Sequence, residues 1–597
     1  MRYKTREEIP LEYKWDLEAI FENIEKWEYD FKFVDDSIPK FADYKLTFKN
    51  SGEDLHKTLK LDEYLSNKLG KLYLYAFLSK DLDLNNSTFQ NLEGRMKLLV
   101  SKYQNATAFI TPNILEIGEK TLYKYMADIE ELRIYKHFFE NILRMKEHTL
   151  SADKEELLAL SGPALQTSYN TFSLLKATEI DYGKTTNEKG EDEEISEAIF
   201  YGAMYSNDRD YRERVYRQFY KPYMNLKNTF ASLFTGKMNA DVFNAKAKNY
   251  SSSLEAALKP NNIPLEVYHN LVDSANAGLS SMHRWVALKK KILKYDDIHP
   301  YDMYVSLFPE NKKDYSFEDA RAIVTNTLTL MGNHYIEAIK ECFDNRRIDV
   351  YDTKGKRSGA YSSGVTVGVD PYVLMNWNGT LNDVSTLIHE LGHNMHSYFT
   401  GQVQPTVYAS YPIFTAEVAS ITNENLLHEY LYYNSTSKLE KMNLIETFIN
   451  KIVSTFFRQT QFAEFELLTH EITEKGNALN AEMLTNHYTD IFKKYYGPEM
   501  TDDKEEFHTW ARVPHFYYNF YVYQYATGLA ASEVLSKNIM EKGLPAAGKM
   551  MSFLSSGNSK YPIDTLKDAG VDMTSKATID AVITKMNTLM DELENLI

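Results

Sequence analysis

The chain of 597 residues has a single cysteine, Cys342, so it can form no internal disulfide and has no thiolate pair for a metal. It also lacks any run near the roughly 20 apolar residues that cross a bilayer, and its charged N-terminus lacks the apolar core of a secretory signal. Basic residues are in deficit, at 67 against 84 acidic ones, which gives a net charge of −17. This balance disfavours nucleic acid and anionic membranes as partners. Together these absences predict a cytoplasmic location.

The most informative motif that is present spans His389–His393, with Glu390 in second place. On a helix, the two histidines lie one turn apart on the same face, so both imidazoles can bind one cation. Glu390 lies beside them, where a carboxylate can act as general base for water. Thr380, three positions before Asp383, resembles a helix-capping arrangement. Apolar residues at three- and four-residue spacing predict an amphipathic helix around the motif: Val384, Leu387, Ile388, Leu391, Met395 and Tyr398. The pattern indicates a zinc hydrolase.

A tetrahedral catalytic zinc needs a third protein ligand besides the two histidines. The metzincin arrangement would require Gly at 396 and His at 399, but the chain has His396 and Phe399, so that class is excluded. The next acidic residues are Glu417 and Glu424. If residues 415–430 are helical, the two glutamates share a face two turns apart, so one could bind zinc while the other orients a ligating histidine. Glu424 could equally be a solvated helix carboxylate.

With these motifs the chain resembles the oligoendopeptidase F group of the thimet-type oligopeptidase family of zinc metallopeptidases. The segments that carry the resemblance, besides the zinc motif, are Tyr205–Arg209, Ala245–Leu254, Phe414–Ser420, Tyr521–Gly528 and Ala569–Met573. The resemblance implies that His389, His393 and Glu417 bind one zinc ion per chain and that Glu390 is the general base. It also implies a zincin-type fold with a deep channel between two helical halves, which admits short flexible peptides and excludes folded proteins.

A glycine-rich, polar segment precedes the zinc motif and ends in Pro371–Trp377. The β-branched and aromatic residues of this last run predict a short strand. An exposed strand edge beside a zinc site could hold an extended peptide through main-chain hydrogen bonds, as members of the resembling family do. An ordinary surface loop and hairpin is the alternative. We therefore expect a small β-sheet near the zinc site.

An aromatic segment downstream of the zinc motif offers hydrogen-bond donors for the oxyanion that forms during peptide hydrolysis. The resembling enzymes use a histidine and tyrosines from this region, which points to His515, Tyr521 and Tyr525 as catalytic residues. Tyr518 and His508 are rivals, because the spacing between histidine and tyrosine differs from that of the thimet enzymes. With 44 tyrosines in the chain, any one of them is more often a packed core residue than a catalyst.

Helical periodicity governs the organisation of the chain. It is clear in Leu61–Leu82 and Leu92–Ile110, and it continues through most of the sequence beyond residue 200. The charged, turn-rich stretch Ile180–Ile195 interrupts it and predicts a hairpin. A chain of this length exceeds what one hydrophobic core serves. We expect a mainly α protein with two helical subdomains, divided into an N-terminal helical region, 1–200, and a catalytic zinc-peptidase domain, 201–597.

These observations predict a zinc-dependent oligoendopeptidase that cleaves internal bonds of short peptides. A zinc peptidyl dipeptidase, which releases C-terminal dipeptides, is the alternative, because the zinc motif and a glutamate at similar separation also occur in enzymes of that type. A non-catalytic peptide-binding protein on the same scaffold is disfavoured, since the base, the three candidate ligands and the tyrosines are all retained.

Overall fold

A computed structural model describes residues 3–309 and 313–597 of the chain. Within these ranges α-helices dominate, which confirms the mainly α prediction, and no helix there is both long and apolar enough to cross a membrane. The helices are α1 (Ile24–Ser37), α2 (Phe41–Thr47), α3 (Gly52–Leu82), α4 (Ser87–Thr107), α5 (Ile110–Ile117), α6 (Glu119–Asp128), α7 (Lys136–Arg144), α8 (Ala152–Leu165), α9 (Thr167–Leu174), α10 (Glu197–Met204), α11 (Arg209–Asn225), α12 (Lys227–Ala247), α13 (Ser253–Leu258), α14 (Leu265–Ala277), α15 (Leu279–Leu293), α16 (Phe317–Thr327), α17 (Asn333–Asp344), α18 (Leu381–Val403), α19 (Ile413–Asn434), α20 (Lys438–Ile452), α21 (Arg458–Glu474), α22 (Ala481–Tyr496), α23 (Tyr523–Lys542), α24 (Leu544–Leu554), α25 (Pro562–Asp568) and α26 (Lys576–Leu596). The strands are β1 (Lys184–Thr186), β2 (Asp192–Glu194), β3 (Ile348–Asp349), β4 (Tyr361–Ser362) and β5 (Val373–Leu374).

The described residues divide into two compact units. The first comprises residues 3–146, Lys313–Leu427 and Leu535–Val571, and the second comprises residues 147–309, His428–Val534 and Asp572–Ile597. Both are built mainly from helices, as expected for two helical subdomains. Each unit draws on separate stretches of the chain, whereas the division expected at residue 200 follows chain order and stays a prediction.

The first unit has an apolar core to which the N-terminal helices contribute most of the side chains. Trp27 of α1 is 0% exposed, and its indole N–H donates to the carbonyl oxygen of Leu72 in α3 at 3.0 Å. Tyr372 and Leu374, at β5, belong to the same core. Each large apolar side chain buried in this way stabilises the fold by roughly 1.5–3 kcal/mol. The core therefore joins the N-terminal helices to the sheet.

The sheet of the first unit has the strand order β3–β5–β4. β5 pairs in parallel with β3 and antiparallel with β4. The strand predicted within Pro371–Trp377 is therefore present as β5, but it is central, because strands from residues 348–349 and 361–362 pair with both of its sides. The outer strands are β3 and β4, and β4 lies in the glycine-rich segment itself.

In the second unit, the interruption at Ile180–Ile195 is the predicted hairpin. Lys184 of β1 lies opposite Glu194 of β2 in an antiparallel pair.

Several tyrosines of the second unit are core residues. Tyr216 and Tyr220 of α11 are each 1% exposed, and both phenols donate to Glu506 Oε2, at 3.1 and 3.3 Å.

A buried ion pair stabilises the sheet of the first unit. The side chains of Asp349 and Lys356 are both 0% exposed and are separated by 2.8 Å. The ammonium group of Lys356 also donates to the carbonyl oxygens of Tyr351 and Met375. Arg6 and the backbone N–H of Trp15 donate to the same carboxylate, so the ion pair also attaches the N-terminal segment to β3.

We predict that Asp349→Ala lowers the free energy of unfolding by about 3–5 kcal/mol, because it leaves the Lys356 ammonium buried without its partner. The shift of the thermal unfolding transition, followed by circular dichroism, measures the effect. Asp349→Asn is the comparison variant: it also removes the charge but keeps one side-chain oxygen that can accept a hydrogen bond from Lys356 or the Trp15 amide, so we expect a smaller shift. An unchanged transition in the alanine variant would contradict this account of the sheet.

Candidate active site

The helix that carries the predicted zinc motif is α18, and it begins where the sequence predicts. The hydroxyl of Thr380 accepts the backbone N–H of Asp383, and the Asp383 carboxylate accepts the backbone N–H of Thr380. The turn before this cap requires a positive φ, +89°, which Gly379 supplies. The predicted apolar face is buried at Val384, Leu387, Ile388, Leu391 and Met395, while Tyr398 is half-buried.

α18 and α19 bring the three predicted metal ligands together. His389 Nε2 lies 3.1 Å from His393 Nε2, and Glu417 Oε2 lies 3.5 Å from each of these nitrogens. Atoms spaced in this way allow one ion to lie about 2 Å from all three, which is the length of zinc bonds to imidazole and carboxylate. Two imidazole nitrogens and one carboxylate oxygen leave the fourth position of a tetrahedral ion open. The donor set therefore fits a catalytic zinc ion.

Glu424 lies two turns after Glu417 on α19 and bonds to the opposite side of the His389 ring. Its Oε1 is 2.6 Å from His389 Nδ1. Burial disfavours a charged imidazole, but the hydrogen bond and charge of Glu424, together with the charges of Glu390 and Glu417, outweigh that effect and raise the pKa of His389. The hydrogen bond fixes the orientation of the ring, with Nε2 directed at His393 and Glu417. Of the two interpretations of Glu424, the geometry favours the orienting carboxylate.

The close approach of α18 and α19 depends on Gly392. A Cβ at this position would lie 2.4 Å from the Cα of Ser420 and 2.9 Å from the carbonyl oxygen of Ala419. Both contacts involve the backbone of α19, which cannot give way as a flexible side chain can. The residues of α19 at this contact, Ala419 and Ser420, are small as well, so both helices contribute to the close approach.

Glu390, the predicted general base, points away from bulk water and is 8% exposed. Burial raises the pKa of its carboxyl above the ordinary value. The backbone N–H of Ser362, in β4, donates to this carboxyl, and Asn394 of α18 donates to Ser362 Oγ at 3.3 Å. The small sheet predicted near the site is therefore confirmed. Neither Ser362 nor Asn394 belongs to a predicted motif, and the glycine-rich composition around Ser362 was the one sequence signal.

The predicted oxyanion residues form a cluster within the second unit. The hydroxyl of Tyr525 lies 3.3 Å from His515 Nε2. The rings of His515 and Tyr521 are nearly parallel, at 12°, with centroids 6.0 Å apart, and Tyr521 contacts Tyr525 edge-on at 5.5 Å. Burial lowers the pKa of His515, which favours a neutral imidazole.

The two rivals of these residues are placed differently. Tyr518 touches the cluster, with its ring 6.1 Å from that of Tyr521, but it is 44% exposed and its hydroxyl lies 3.2 Å from that of Tyr169. His508 donates from Nδ1 to the carbonyl oxygen of Lys504 at 2.8 Å, an interaction within its own turn. The contacts therefore favour His515, Tyr521 and Tyr525 over His508.

Two family models match the chain. The model described as peptidase family M3 matches residues 203–584, and the model described as oligopeptidase F matches residues 113–182. The first match alone covers more than half of the chain. The chain belongs to peptidase family M3. Membership makes it a metalloendopeptidase, with peptides as substrates and a metal ion as cofactor, and the resemblance drawn from the sequence motifs is confirmed.

Relatives and solved structures that are similar to the chain agree with this family M3 assignment. The chain is 42% identical to oligopeptidase PepF of Bacillus subtilis over 99% of its own length and 88% of that protein. The crystal structure of oligoendopeptidase-F from Enterococcus faecium has a TM-score of 0.75 at 31% identity and covers 96% of this chain and 99% of that one. A crystal structure from Chlamydophila abortus reaches a TM-score of 0.93 at 35% identity, with full coverage of both chains.

We predict that Gly392→Ala reduces the metal affinity of this M3 peptidase by at least about tenfold, because the new methyl group forces α19, and Glu417 with it, away from the histidines. Titration of the metal-free protein with zinc measures the affinity. Gly401→Ala on the same helix is the matched control, since its Cβ would meet only the side chain of Val365, at an ordinary 3.5 Å. Equal zinc affinity in the two variants would contradict the packing argument.

Proposed function

We propose that this M3 peptidase is a zinc-dependent oligoendopeptidase that hydrolyses internal bonds of short peptides, with Glu390 as general base. The observation that carries the proposal is the group of donor atoms of His389, His393 and Glu417, spaced 3.1–3.5 Å apart beside a buried glutamate. Its relatives from Bacillus subtilis and Enterococcus faecium, named oligopeptidase and oligoendopeptidase, support the choice of short peptides as substrates. The cytoplasmic location stays a prediction from the sequence.

Two imidazoles and one carboxylate would hold the ion. Zinc in such a site supplies Lewis-acid polarisation of the scissile carbonyl and lowers the pKa of water. His389 donates its Nδ1 proton to Glu424, which leaves the Nε2 lone pair free for the ion. The two glutamates of α19 therefore have different roles. Glu417 lies beside the Nε2 atoms of both histidines, and Glu424 bonds to Nδ1 on the opposite side of the His389 ring.

Glu390 transfers the proton in this mechanism. Its carboxylate takes a proton from the attacking water and passes it to the amine that leaves when the peptide bond breaks. A carboxyl whose pKa is raised by burial is better suited to both steps than an exposed one, because its pKa lies nearer to the working pH. The Ser362 amide holds the carboxylate in place during the transfer.

The phenols of Tyr521 and Tyr525 and the imidazole of His515 are proposed to donate to the oxyanion of the tetrahedral intermediate. Hydroxyl and imidazole N–H groups are suitable donors, and one such donor contributes about 3 kcal/mol to lowering the barrier. The mutual contacts of the three side chains limit the rotamers that each can adopt, so the donors are ordered before substrate binds.

We predict that Glu390→Gln abolishes turnover while the metal stays bound, whereas Glu417→Ala releases the metal. The first variant removes only the base, and the second removes one of three ligands. We expect Glu424→Ala to fall between them, with affinity reduced about 10- to 100-fold through loss of the orienting hydrogen bond. Metal analysis of the dialysed variants, with peptide turnover measured in parallel, distinguishes these outcomes. Full metal occupancy in Glu417→Ala would rule out its assignment as third ligand.

The substrate class is tested with a short peptide blocked at both ends, whose products are identified by mass spectrometry. We expect internal fragments that disappear when a chelator is added and when Glu390→Gln replaces the native enzyme. If the blocked peptide survives while a peptide with a free C-terminus loses dipeptides, the protein is a peptidyl dipeptidase. If a zinc-loaded sample cleaves no peptide at all, the catalytic proposal fails and a peptide-binding role replaces it.

A further inference from the structure

Two consecutive residues immediately before Tyr521 have left-handed backbone conformation. Asn519 has a φ of +43° and Phe520 a φ of +54°. Asparagine adopts this region readily, but a phenylalanine there brings its Cβ close to the following carbonyl and is a rare outlier. Such a conformation persists only where neighbouring groups determine it, and it is concentrated at functional sites.

A buried carboxyl group holds Phe520 in this conformation. The backbone N–H of Phe520 donates to Glu466 Oε1 at 2.7 Å, and Glu466 is 0% exposed. The ring of Phe520 packs on the imidazole of His470, with centroids 4.4 Å apart, and edge-on against Tyr268 at 5.5 Å. The amide and the side chain of Phe520 are thus both held by groups of the second unit.

A short network fixes His470 beside Glu466. Both lie one turn apart on α21, and His470 donates from Nδ1 to the backbone carbonyl oxygen of Glu466 at 2.9 Å. Its Nε2 faces Asp241 at 3.4 Å, and Asp241 is paired with Lys237 of α12. Because Glu466 is 0% exposed, the side chains around it leave its carboxyl group, the acceptor for the Phe520 amide, little freedom to move.

The turn at Asn519–Phe520 separates the members of the oxyanion cluster. His515 precedes it, in a short 3₁₀ turn (Pro514–Tyr517), and Tyr521 follows it directly. A change of φ at Phe520 would rotate every later atom of the chain relative to His515. The parallel arrangement of the His515 and Tyr521 rings therefore depends on the conformation that the Glu466 hydrogen bond maintains.

We propose that Glu466 is a positioning residue of this peptidase, which holds the Phe520 amide so that Tyr521 faces His515 and Tyr525. The inference rests on the proposed function, in which this cluster stabilises the oxyanion. Glu466 does not touch substrate in this role; it acts through Tyr521. A merely structural role, in which Glu466 supports the fold at large, is the competing explanation.

Three substitutions of Glu466 separate these explanations. Burial raises the pKa of Glu466 to about 7, so Glu466→Gln closely imitates its protonated form and keeps a carbonyl acceptor for the Phe520 amide. Glu466→Met has nearly the same length and no strong acceptor. Glu466→Asp keeps the carboxyl group but shortens the side chain by one methylene, which moves the acceptor away from the Phe520 amide. It replaces Glu466→Met in the experiment if the methionine variant does not fold. Unchanged metal content and thermal unfolding identify the variants that are suitable for kinetics.

We expect Glu466→Gln to retain kcat within about twofold, and Glu466→Met to lose about 10- to 100-fold in kcat at nearly constant KM, as for loss of a transition-state donor. Tyr521→Phe should lose a similar amount. The double variant Glu466→Met/Tyr521→Phe should be no slower than Tyr521→Phe alone, because both changes remove the same interaction. Losses that multiply in the double variant, or an equal loss in Glu466→Gln, would overturn the positioning role.

A measurement independent of activity separates this inference from the oxyanion proposal. 3-Fluorotyrosine is incorporated at position 521 through an amber codon, and its ¹⁹F resonance is compared between native protein and the Glu466 variants. We expect a shifted or broadened signal in Glu466→Met and Glu466→Asp and an unchanged one in Glu466→Gln. An unchanged signal in all three would overturn the positioning of Tyr521. A shifted signal, combined with full activity of Tyr521→Phe, would instead sustain the positioning and refute the oxyanion role.

Discussion

The candidate metal site depends on one close contact between helices, that of Gly392 on α18 with Ser420 on α19. The two histidines come from one helix and both glutamates from the other, and the side chains span the gap only because no Cβ separates the backbones. The same proximity lets Glu424 reach His389 Nδ1 and Glu417 reach both ring nitrogens. A site made by four side chains on two rigid helices is ordered before any ion binds, because the helices are already fixed by their buried faces.

The parts of this site that could be predicted from the sequence are those set by local helical geometry. A spacing of four residues places His389 and His393 on one face, and a spacing of seven does the same for Glu417 and Glu424. The cap at Thr380 is likewise local, because it joins two residues that are three positions apart, Thr380 and Asp383. All of these arrangements are present in the structure. Each depends only on neighbouring residues of one helix, so it can be derived without knowledge of the tertiary fold. Helical spacing alone leaves open which glutamate faces the ring nitrogens, since that depends on how the two helices are rotated about their axes; Glu417 was named only by the family resemblance.

The parts that could not be predicted are those created by pairing across long stretches of chain. The run around Val373 has the composition of a strand, but its composition cannot show that residues 348–349 and 361–362 flank it. The contact of the Ser362 amide with Glu390 follows from the strand order, because a strand at the edge of a sheet has N–H groups that are not paired within the sheet. The sequence gives even less indication of the positive φ at Phe520, since glycine and asparagine are the residues that usually adopt left-handed conformation. Its conformation is imposed by Glu466, 54 positions earlier in the chain.

Three buried carboxyl groups show how their surroundings determine what each can do. Asp349 is bonded to Lys356 and Arg6, and these permanent cations lower its pKa although burial alone would raise it, so it stays charged and serves the sheet. Glu466 accepts a backbone amide, and burial raises its pKa; either protonation state retains an oxygen for Phe520. Glu390 is surrounded by His389, His393, Glu417 and the Ser362 amide, and neither lysine nor arginine is among the described groups that shift its pKa. A general base has to bind and release a proton within one catalytic cycle. An ion pair with lysine or arginine, of the kind that lowers the pKa of Asp349, would hinder this, whereas the described groups that shift the pKa of Glu390 are histidines, Glu417 and a backbone amide.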